Sequence, residues 1–518
     1  MTYTISIIQR GDKFMLTYKK IIEVNGFDKY NIENARQNSY AWSMVEFEDY
    51  IYVGTSRNMF SSMANSFSNI GIPPSLKTGT DNNAEIWRYK KDGTCSSWER
   101  VFKTAPADKS YGFRIMTVHK SKNKKAIYAA TMGEKVSMFK SIDGVHWLKL
   151  CTPDLSGTSS RAMVSFNGQL YISTLKNGLG GNAPSLYSSP DPQYEPFKPV
   201  ISSDDKYNAL FNKNKNPHNG IDDMCVFNDR LYLGVNSDNG CEIWRSDNQK
   251  PGMNDWTLIS DKGFGDKTNK NIMSFGIFKN HLYAAVSKAL PLSLYAPLGF
   301  DLIRIDKNDN WQIVVGSDPL AATLPSTGKR NKSISGFKSG FNNFFNVYGW
   351  QIKEFKDTLV ITTFNDSTNI ETIYEGFLYN KENYIKKIGP DNYRKITESY
   401  SKILFLMKQY NYTKGFQIYQ SHDGTNFSPS ILNGLNNPNN YGGRTLIVSS
   451  ENNMFLGTAN PYEGCEIWKV SNENFSCCSN HTINSYFKNL SNLNKDLICI
   501  YPILMEGIQS LFSSFYNN

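Results

Sequence analysis

The chain has 518 residues, a formal net charge of +9, 20% charged residues and 14% aromatic ones. That charge is small for the length, and the Lys and Arg residues are scattered without a sustained run interleaved with aromatics, which argues against a nucleic-acid-binding surface. The opening MTYTISIIQRGDKF has neither an apolar core nor a small-residue cleavage site, so the expectation is a cytoplasmic protein with reduced thiols.

In chain order, short alternating strands begin at Trp42 and recur to the neighbourhood of Val470. A first unit runs from Trp42 to Phe47 through YIYVGT and AEIWRY to Trp98. The second is GFRIMTV, AIYAAT, VSMFKS and Trp147, and the third RAMVSF, QLYIST, PSLYSS and Phe197. The fourth is IDDMCVF, RLYLGV, CEIWRS and Trp256, and the fifth IMSFGIF, HLYAAV, FDLIRI and Trp311. The sixth is GWQIKEF, DTLVITT, GFQIYQS and Phe427. The seventh, GRTLIV, NMFLGT and CEIWKV, has no evident fourth strand; the N-terminal TISIIQ or FMLTYKK is expected to supply it and close the ring.

Three of these stretches (50–93, 230–247 and 454–471) are near-copies, each an "LY"-type strand followed by EIW. Repetition at this spacing predicts an all-β, seven-bladed β-propeller of four-stranded blades, because a lone amphipathic sheet cannot cover its faces and stacking around an axis does so. Residues 1–475 are assigned to the propeller and 476–518 to a C-terminal tail packed on it. Within the sixth unit, 366–414 is a lid-like insertion whose ITESYSKILFLMKQY has helical spacing. Long connections in the first and fifth units, SRNMFSSMANSFSNIGIPPSLKTGTDNN and SKALPLSLYAPLG, also join second to third strands and should rise over the same end. In the tail, LICIYPILMEGIQSLF (497–512) is apolar, but Pro502 and Glu506 interrupt it and it falls short of the ~20 residues of a membrane span. Neither the cysteines nor the histidines have metal-ligand spacing, so no metal is expected, and no cofactor is indicated. Cys241 and Cys465, before EIW, read as small strand residues.

SIDGVHW (141–147) and SHDGTNF (421–427), with KKDGTCSSW (90–98) a looser relative, resemble the Asp-boxes of sialidases and other propellers. There an Asp accepts backbone N–H groups inside a turn and an aromatic packs beneath it, so Asp143 and Asp423 are structural. A general likeness to kelch-type propellers accompanies this. The resemblance implies the architecture and leaves the activity open.

Aligning the units places Trp42, Arg114, Arg161, Asp222, Met273, Trp350 and Arg444 at one equivalent point near the axial opening. Converging guanidinium groups favour a carboxylate, phosphate or sulfate, while Trp42, Trp350 and Tyr348 offer flat surface for a sugar or aromatic ring. The expected function is therefore binding of a small anionic or carbohydrate-like molecule, with or without a reaction on it. One alternative is a protein-interaction scaffold, docking partners through 366–414, with the arginines paired internally to Asp222, Asp223 or the repeated Glu85, Glu242 and Glu466. Those glutamates repeat too faithfully to form one catalytic group. A second alternative follows from the sialidase resemblance: GFRIM (112–116) is similar to the F-R-I-P segment that supplies a carboxylate-binding arginine, with Met116 in place of Pro. On that likeness Asp222 is the acid/base candidate and Tyr348 the nucleophile candidate.

Overall fold

The computed structural model describes residues 2–3, 15–60, 79–94, 97–122, 124–176, 183–202, 210–318, 330–473 and 481–516. Near the N-terminus lie β1 (Thr2–Tyr3) and β2 (Met15–Lys20). The first sheet then follows as β3 (Asn38–Phe47), β4 (Tyr50–Arg57), β5 (Glu85–Lys90) and β6 (Glu99–Lys103). The second is β7 (Ser110–Lys120), β8 (Lys125–Gly133), β9 (Met138–Ser141) and β10 (Leu148–Lys149). The third is β11 (Ser159–Phe166), β12 (Gln169–Leu175), β13 (Ser185–Ser189) and β14 (Lys198–Ser202). The fourth is β15 (Ile221–Phe227), β16 (Arg230–Val235), β17 (Glu242–Ser246) and β18 (Trp256–Leu258). The fifth is β19 (Asn269–Phe278), β20 (His281–Lys288), β21 (Asp301–Ile305) and β22 (Trp311–Val315). The sixth is β23 (Asn346–Phe355), β24 (Thr358–Asn365), β25 (Ile418–Ser421) and β26 (Ser428–Ile431). Last come β27 (Gly442–Val448), β28 (Met454–Ala459) and β29 (Ile467–Glu473).

Within each sheet the strands pair antiparallel in sequence order, as an up-and-down meander. Of the two N-terminal segments considered, Met15–Lys20 supplies the missing strand: β2 pairs with β29 along its whole length, from Met15 opposite Glu473 to Lys20 opposite Trp468. Residues 4–9 lie outside the described residues. β3 packs against β7, β7 against β11, and so on through β15, β19, β23 and β27, which returns to β3. Four-stranded antiparallel sheets arranged around an axis in this way make a β-propeller.

The alternating strands dictate this packing. Each sheet presents apolar residues on both faces, and neighbouring sheets bury them; between the fourth and fifth lie Tyr232, Ile243, Ile272, Leu282, Ile303 and Ile305. Burying one such side chain contributes about 1.5–3 kcal/mol.

A polar tie recurs at the inner end of four sheets. Asn38, Asn269, Asn346 and Asn440 each donate Nδ2 to a turn carbonyl, of Gly26, Gly263, Gly340 and Gly434, at 2.8–2.9 Å. Each also donates to an acceptor at or just before the third strand: Glu85, Asp301, Gln417 and Glu466, at 2.7–3.1 Å. Their own amide oxygens accept from Arg57, Lys288, Asn365 and Asn460 beside the end of the second strand. Glu85, Glu242 and Glu466 each also accept the indole N–H of the Trp two residues on, at 2.9–3.0 Å. The repeated glutamates are thus hydrogen-bonding struts, and the EIW triplet is one local unit.

At the opposite end, Asp143 Oδ1 accepts the backbone N–H groups of Val145 and His146 at 2.9 and 2.8 Å, and Ser141 Oγ accepts that of Gly144. Asp423 repeats this with Thr425, Asn426 and Ser421. These bonds hold both carboxyls well below the usual range, that of Asp143 chiefly through His146 and that of Asp423 against the opposing effect of burial.

Between β24 and β25 the chain forms a short helix, Asn369–Tyr379, and a long one, Lys381–Gln409, with non-helical backbone at Gly389 before Pro390. A C-terminal helix, His481–Tyr516, lies antiparallel along the long helix, with Asn392 beside Ser510, Lys395 beside Glu506 and Tyr410 beside Asp496. Its Leu493, Leu497, Ile500, Leu504, Ile508 and Leu511 form a buried seam with heptad-like spacing against Ile396, Tyr400, Ile403 and Met407. The tail therefore rests mainly on the helices and reaches the sheets through side chains such as Asn494, bonded to Asn342 O at 2.6 Å. As a continuous helix it exceeds the run read from sequence: Ile483–Ser514 is long and apolar enough, by length and composition alone, to cross a membrane, and a third of its most apolar window is buried (33%).

Ring closure through β2 has a direct test. Tyr18 is 1% exposed and its hydroxyl bonds Ser430 Oγ of the sixth sheet at 2.7 Å. Tyr18→Ala is expected to cost about 3–5 kcal/mol of unfolding free energy in urea titration, as for other large-to-small core changes. An unchanged midpoint would remove β2 from the fold's cooperative core.

Candidate functional site

All seven residues aligned from the sequence fall on the innermost strands, each within a β-bulge. The register steps past Trp42 in β3, Arg114 in β7, Asp222 in β15, Met273 in β19, Trp350 in β23 and Arg444 in β27. In β11 it skips the pair that includes Arg161. A bulge leaves one residue outside the ladder and re-aims its side chain. Repeated on every innermost strand, it turns these side chains toward a shared axis. Their charges interact accordingly: Arg161 and Arg444 both lower the Arg114 pKa, and Arg161 lowers that of Arg444.

The three arginines are satisfied differently. Arg161 Nη2 donates to Asp222 Oδ1 at 3.2 Å, with side chains only 5% and 0% exposed. Asp222 Oδ1 also accepts from Asn236, and Oδ2 accepts from Asn271 at 2.8 Å. Asp222 is therefore the internal partner of Arg161, which is the pairing anticipated for the scaffold. Each of its oxygens already accepts at least one buried hydrogen bond, which suits a structural role better than acid/base work.

Arg114 and Arg444 have no carboxylate partner among the described residues. Arg114 lies over the Trp42 ring, 4.9 Å from its centroid, and Nη1 makes only a long contact of 4.0 Å to Met132 Sδ. Arg444 lies over Trp350 at 5.2 Å. Burial, reinforced by the neighbouring arginines, drives the Arg114 pKa well below its ordinary value and pushes that of Arg444 down to about 10. Both keep intermediate accessibility, so these deep groups still touch solvent-sized space.

The two Trp–Arg stacks are built identically. Each tryptophan extends over the glycine that lies two residues before the arginine of the next sheet, Trp42 over Gly112 and Trp350 over Gly442. A Cβ on Gly112 would come within 2.5 Å of Trp42 Cε3, and one on Gly442 within 2.0 Å of Trp350 Cζ3. Any side chain there would displace the ring on which the guanidinium rests.

Above these stacks an aromatic cluster of Tyr40, Trp42, Tyr348, Trp350, Phe364 and Tyr441 fills the end covered by the helices. Tyr40 and Tyr441 share a hydrogen bond between their hydroxyls. Burial, with Asp366 and Tyr40 adding to it, raises the Tyr348 pKa far above its usual range; Arg161 and Arg114 only partly oppose this. A phenol so held is poorly prepared to act as a nucleophile. Asp223, beside Asp222, is pushed up to about 6 by burial, against the lowering effects of two backbone N–H groups and of Arg161.

Two residues important here escaped the sequence reading as site members. Asp223 was read only as an internal partner for the arginines; its place next to an aligned residue was the available signal. Asp366, a buried carboxyl directly after the second strand of the sixth sheet, sits inside a segment read only as lid.

No family model matches this chain, and no curated protein matches it. Among solved structures it is similar to the extracellular domain of a hybrid two-component system from B. thetaiotaomicron, with a TM-score of 0.45 and 12% identity over 86% of this chain. It is likewise similar to a GH74 xyloglucanase from Xanthomonas campestris, with a TM-score of 0.44 and 11% identity over 89% of this chain. The chain spans 39% and 55% of the length of those two proteins. A third similar structure is the β-propeller domain of the Trilobed protease from Pyrococcus furiosus: TM-score 0.37, 8% identity, covering 84% of this chain and 97% of that one. At such scores and identities no activity passes to this chain.

Gly442→Ala tests the stack. Its near-UV circular dichroism and indole emission are expected to change while far-UV circular dichroism stays the same. Unaltered tryptophan signals would show that Trp350 does not rest where Gly442 leaves room.

Proposed function

We propose that the protein is a seven-bladed propeller that binds a small anionic molecule, of the sugar-acid type, at its axis beneath the helical segment 366–414. The observation that carries this reading is the pair of guanidinium groups, Arg114 and Arg444, stacked on Trp42 and Trp350 with no carboxylate in ion-pair contact among the described residues. Buried charges without partners are costly, and an anion would relieve that cost through charge-assisted hydrogen bonds. The proposal is one of binding: with Asp222 engaged by three donors and the Tyr348 phenol held neutral, the sialidase-like reading has neither of its reacting groups in a prepared state.

A second reading rests on a different observation. Phe405 and Ile498, on the long and C-terminal helices, are 65% and 59% exposed, which favours a protein partner docking on the helices.

Sulfate and glucuronate are expected to raise the melting temperature of the wild type. Arg444→Ala or Arg114→Ala is expected to weaken either by about 10- to 100-fold, the ~1.5–3 kcal/mol of a hydrogen bond to a charged group. Silence from both anions in the wild type would leave the docking reading.

Sulfate remains a dianion across the acidic range, which isolates the effect of Asp223. As pH falls through about 6, Asp223 takes a proton and removes a negative charge near Arg161 and Arg444. Sulfate affinity measured by calorimetry is therefore expected to rise about tenfold between pH 7.5 and pH 5, roughly one pKa unit's worth of interaction. Asp223→Asn should flatten the profile; a profile that keeps its slope in that variant would exonerate Asp223.

A further inference from the structure

One innermost strand breaks the repeat at the end that carries the Asp143 turn. In five sheets the first strand ends on a phenylalanine: Phe47, Phe166, Phe227, Phe278 and Phe355 stand opposite Tyr50, Gln169, Arg230, His281 and Thr358. In the second sheet the equivalent pair is His119 opposite Ala126. An imidazole thus takes a phenyl position, and at 1% exposure it is as deeply buried as Phe47 or Phe355. A break in an otherwise regular pattern is where functional residues concentrate. A polar ring so buried needs both nitrogens bonded.

Those two bonds set the chemistry of the ring. Nε2 lies 2.9 Å from Pro190 O, and Nδ1 lies 2.8 Å from Ser165 Oγ. A carbonyl oxygen only accepts, so Nε2 carries the hydrogen, and in the neutral ring Nδ1 is left as the acceptor. The Ser165 hydroxyl therefore donates to Nδ1. Ser165 belongs to β11, the innermost strand of the third sheet, one residue before Phe166, and it is exposed. Pro190 belongs to the turn between the third and fourth strands of that sheet, where Asp191 Oδ1 accepts the N–H of Gln193 at 3.2 Å as Asp143 does that of Val145. Asp191 is itself paired with Lys140 at 3.2 Å, and the Tyr128 ring meets the imidazole edge-on at 5.9 Å. The imidazole is therefore oriented by a braced turn at one nitrogen and loaded with the hydroxyl of an exposed serine at the other. That is the order of nucleophile, base and orienting group that activates a serine.

We propose that Ser165 and His119 form a nucleophile–base pair that takes the acyl group of activated esters. Ser165 Oγ bonds the acyl carbon as its proton passes to His119 Nδ1. The ester C–O bond breaks, and the leaving oxide collects that proton from Nδ1. Water then attacks the acyl-serine, giving a proton to Nδ1, and the Oγ–acyl bond breaks as Oγ takes that proton back and the free acid departs. The pair lies where first strands end, whereas the helical segment joins the sixth sheet at the end of its second strand, so this chemistry stands apart from the anion-binding reading.

The test treats the full-length protein at pH 8, where an ordinary imidazole is neutral, with two probes. One is a fluorophosphonate, which leaves its phosphonyl group on a serine Oγ as fluoride departs; the other is nitrophenyl acetate, followed by release of nitrophenolate. Peptide mass spectrometry reads the rate of labelling at each serine. Ser165 is expected to label about 100-fold faster than Ser401 and Ser491, exposed serines of the helices, the lower end of what a positioned base supplies. His119→Gln can accept the Ser165 hydrogen bond through its amide oxygen and takes no proton, so it is expected to lose that advantage. Ser165→Ala is expected to lose the label and the nitrophenolate release above background. Wild-type Ser165 labelling no faster than Ser401 and Ser491 overturns the proposal without any variant, so a variant that fails to fold cannot shelter it. Undiminished labelling of Ser165 in His119→Gln, with unchanged far-UV circular dichroism, overturns the pairing of serine and base.

Discussion

A guanidinium ion is costly to draw away from water, and Arg114 and Arg444 are largely drawn away with no carboxylate in ion-pair contact among the described residues. Arg114 and Arg444 are held by stacking on tryptophan, an interaction worth about 2 kcal/mol or more when desolvated, which falls short of the full penalty of burial. The remainder comes from the scaffold. Bulged side chains on successive innermost strands have no other direction to take, because the sheet ladder is closed behind them and each sheet face is packed against a neighbour.

Rigidity at the inner ends makes that possible. In four sheets an asparagine closes a turn, the adjoining strand and the third strand into one hydrogen-bonded unit. The donors that satisfy its amide oxygen vary, from Arg57 and Lys288 to Asn365 and Asn460, yet the geometry does not. Charged residues in these ties, including Lys288 between Asp266 and Asp301 at 2.9 and 3.0 Å, are internally balanced. The axial arginines stand apart because only Arg161 is balanced in that manner.

The helices complete the site from above. Their apolar seam with heptad-like spacing is long enough to hold together as a unit, and the same cluster takes in Tyr295, Ala296 and Phe345 from outside the helices; Tyr400 Oη bonds Tyr295 O at 2.6 Å, and Thr372 and Asn369 bond Tyr462. Tyr462 also packs against the axial aromatic cluster. The helices and the axial aromatic cluster are therefore joined, with Asp366 where the chain passes from the sixth sheet into the short helix.

Much of this was legible in the residues. Alternating "LY" strands and the EIW copies dictated antiparallel sheets, because a period of two with Gly- and Asn-rich turns has no other compact use. Equivalent positions in those copies located Trp42, Arg114, Arg161, Asp222, Met273, Trp350 and Arg444, since a repeated bulge sits at a repeated place. The ties were legible in principle, in G-[FL]-x-x-x-x-N at 263–269, 340–346 and 434–440. Pairing was not. That Arg161 takes Asp222 while Arg114 and Arg444 take tryptophans depends on distances across the axis, which no spacing along the chain encodes. The hairpin formed by two helices far apart in sequence was likewise decided only by the tertiary fold.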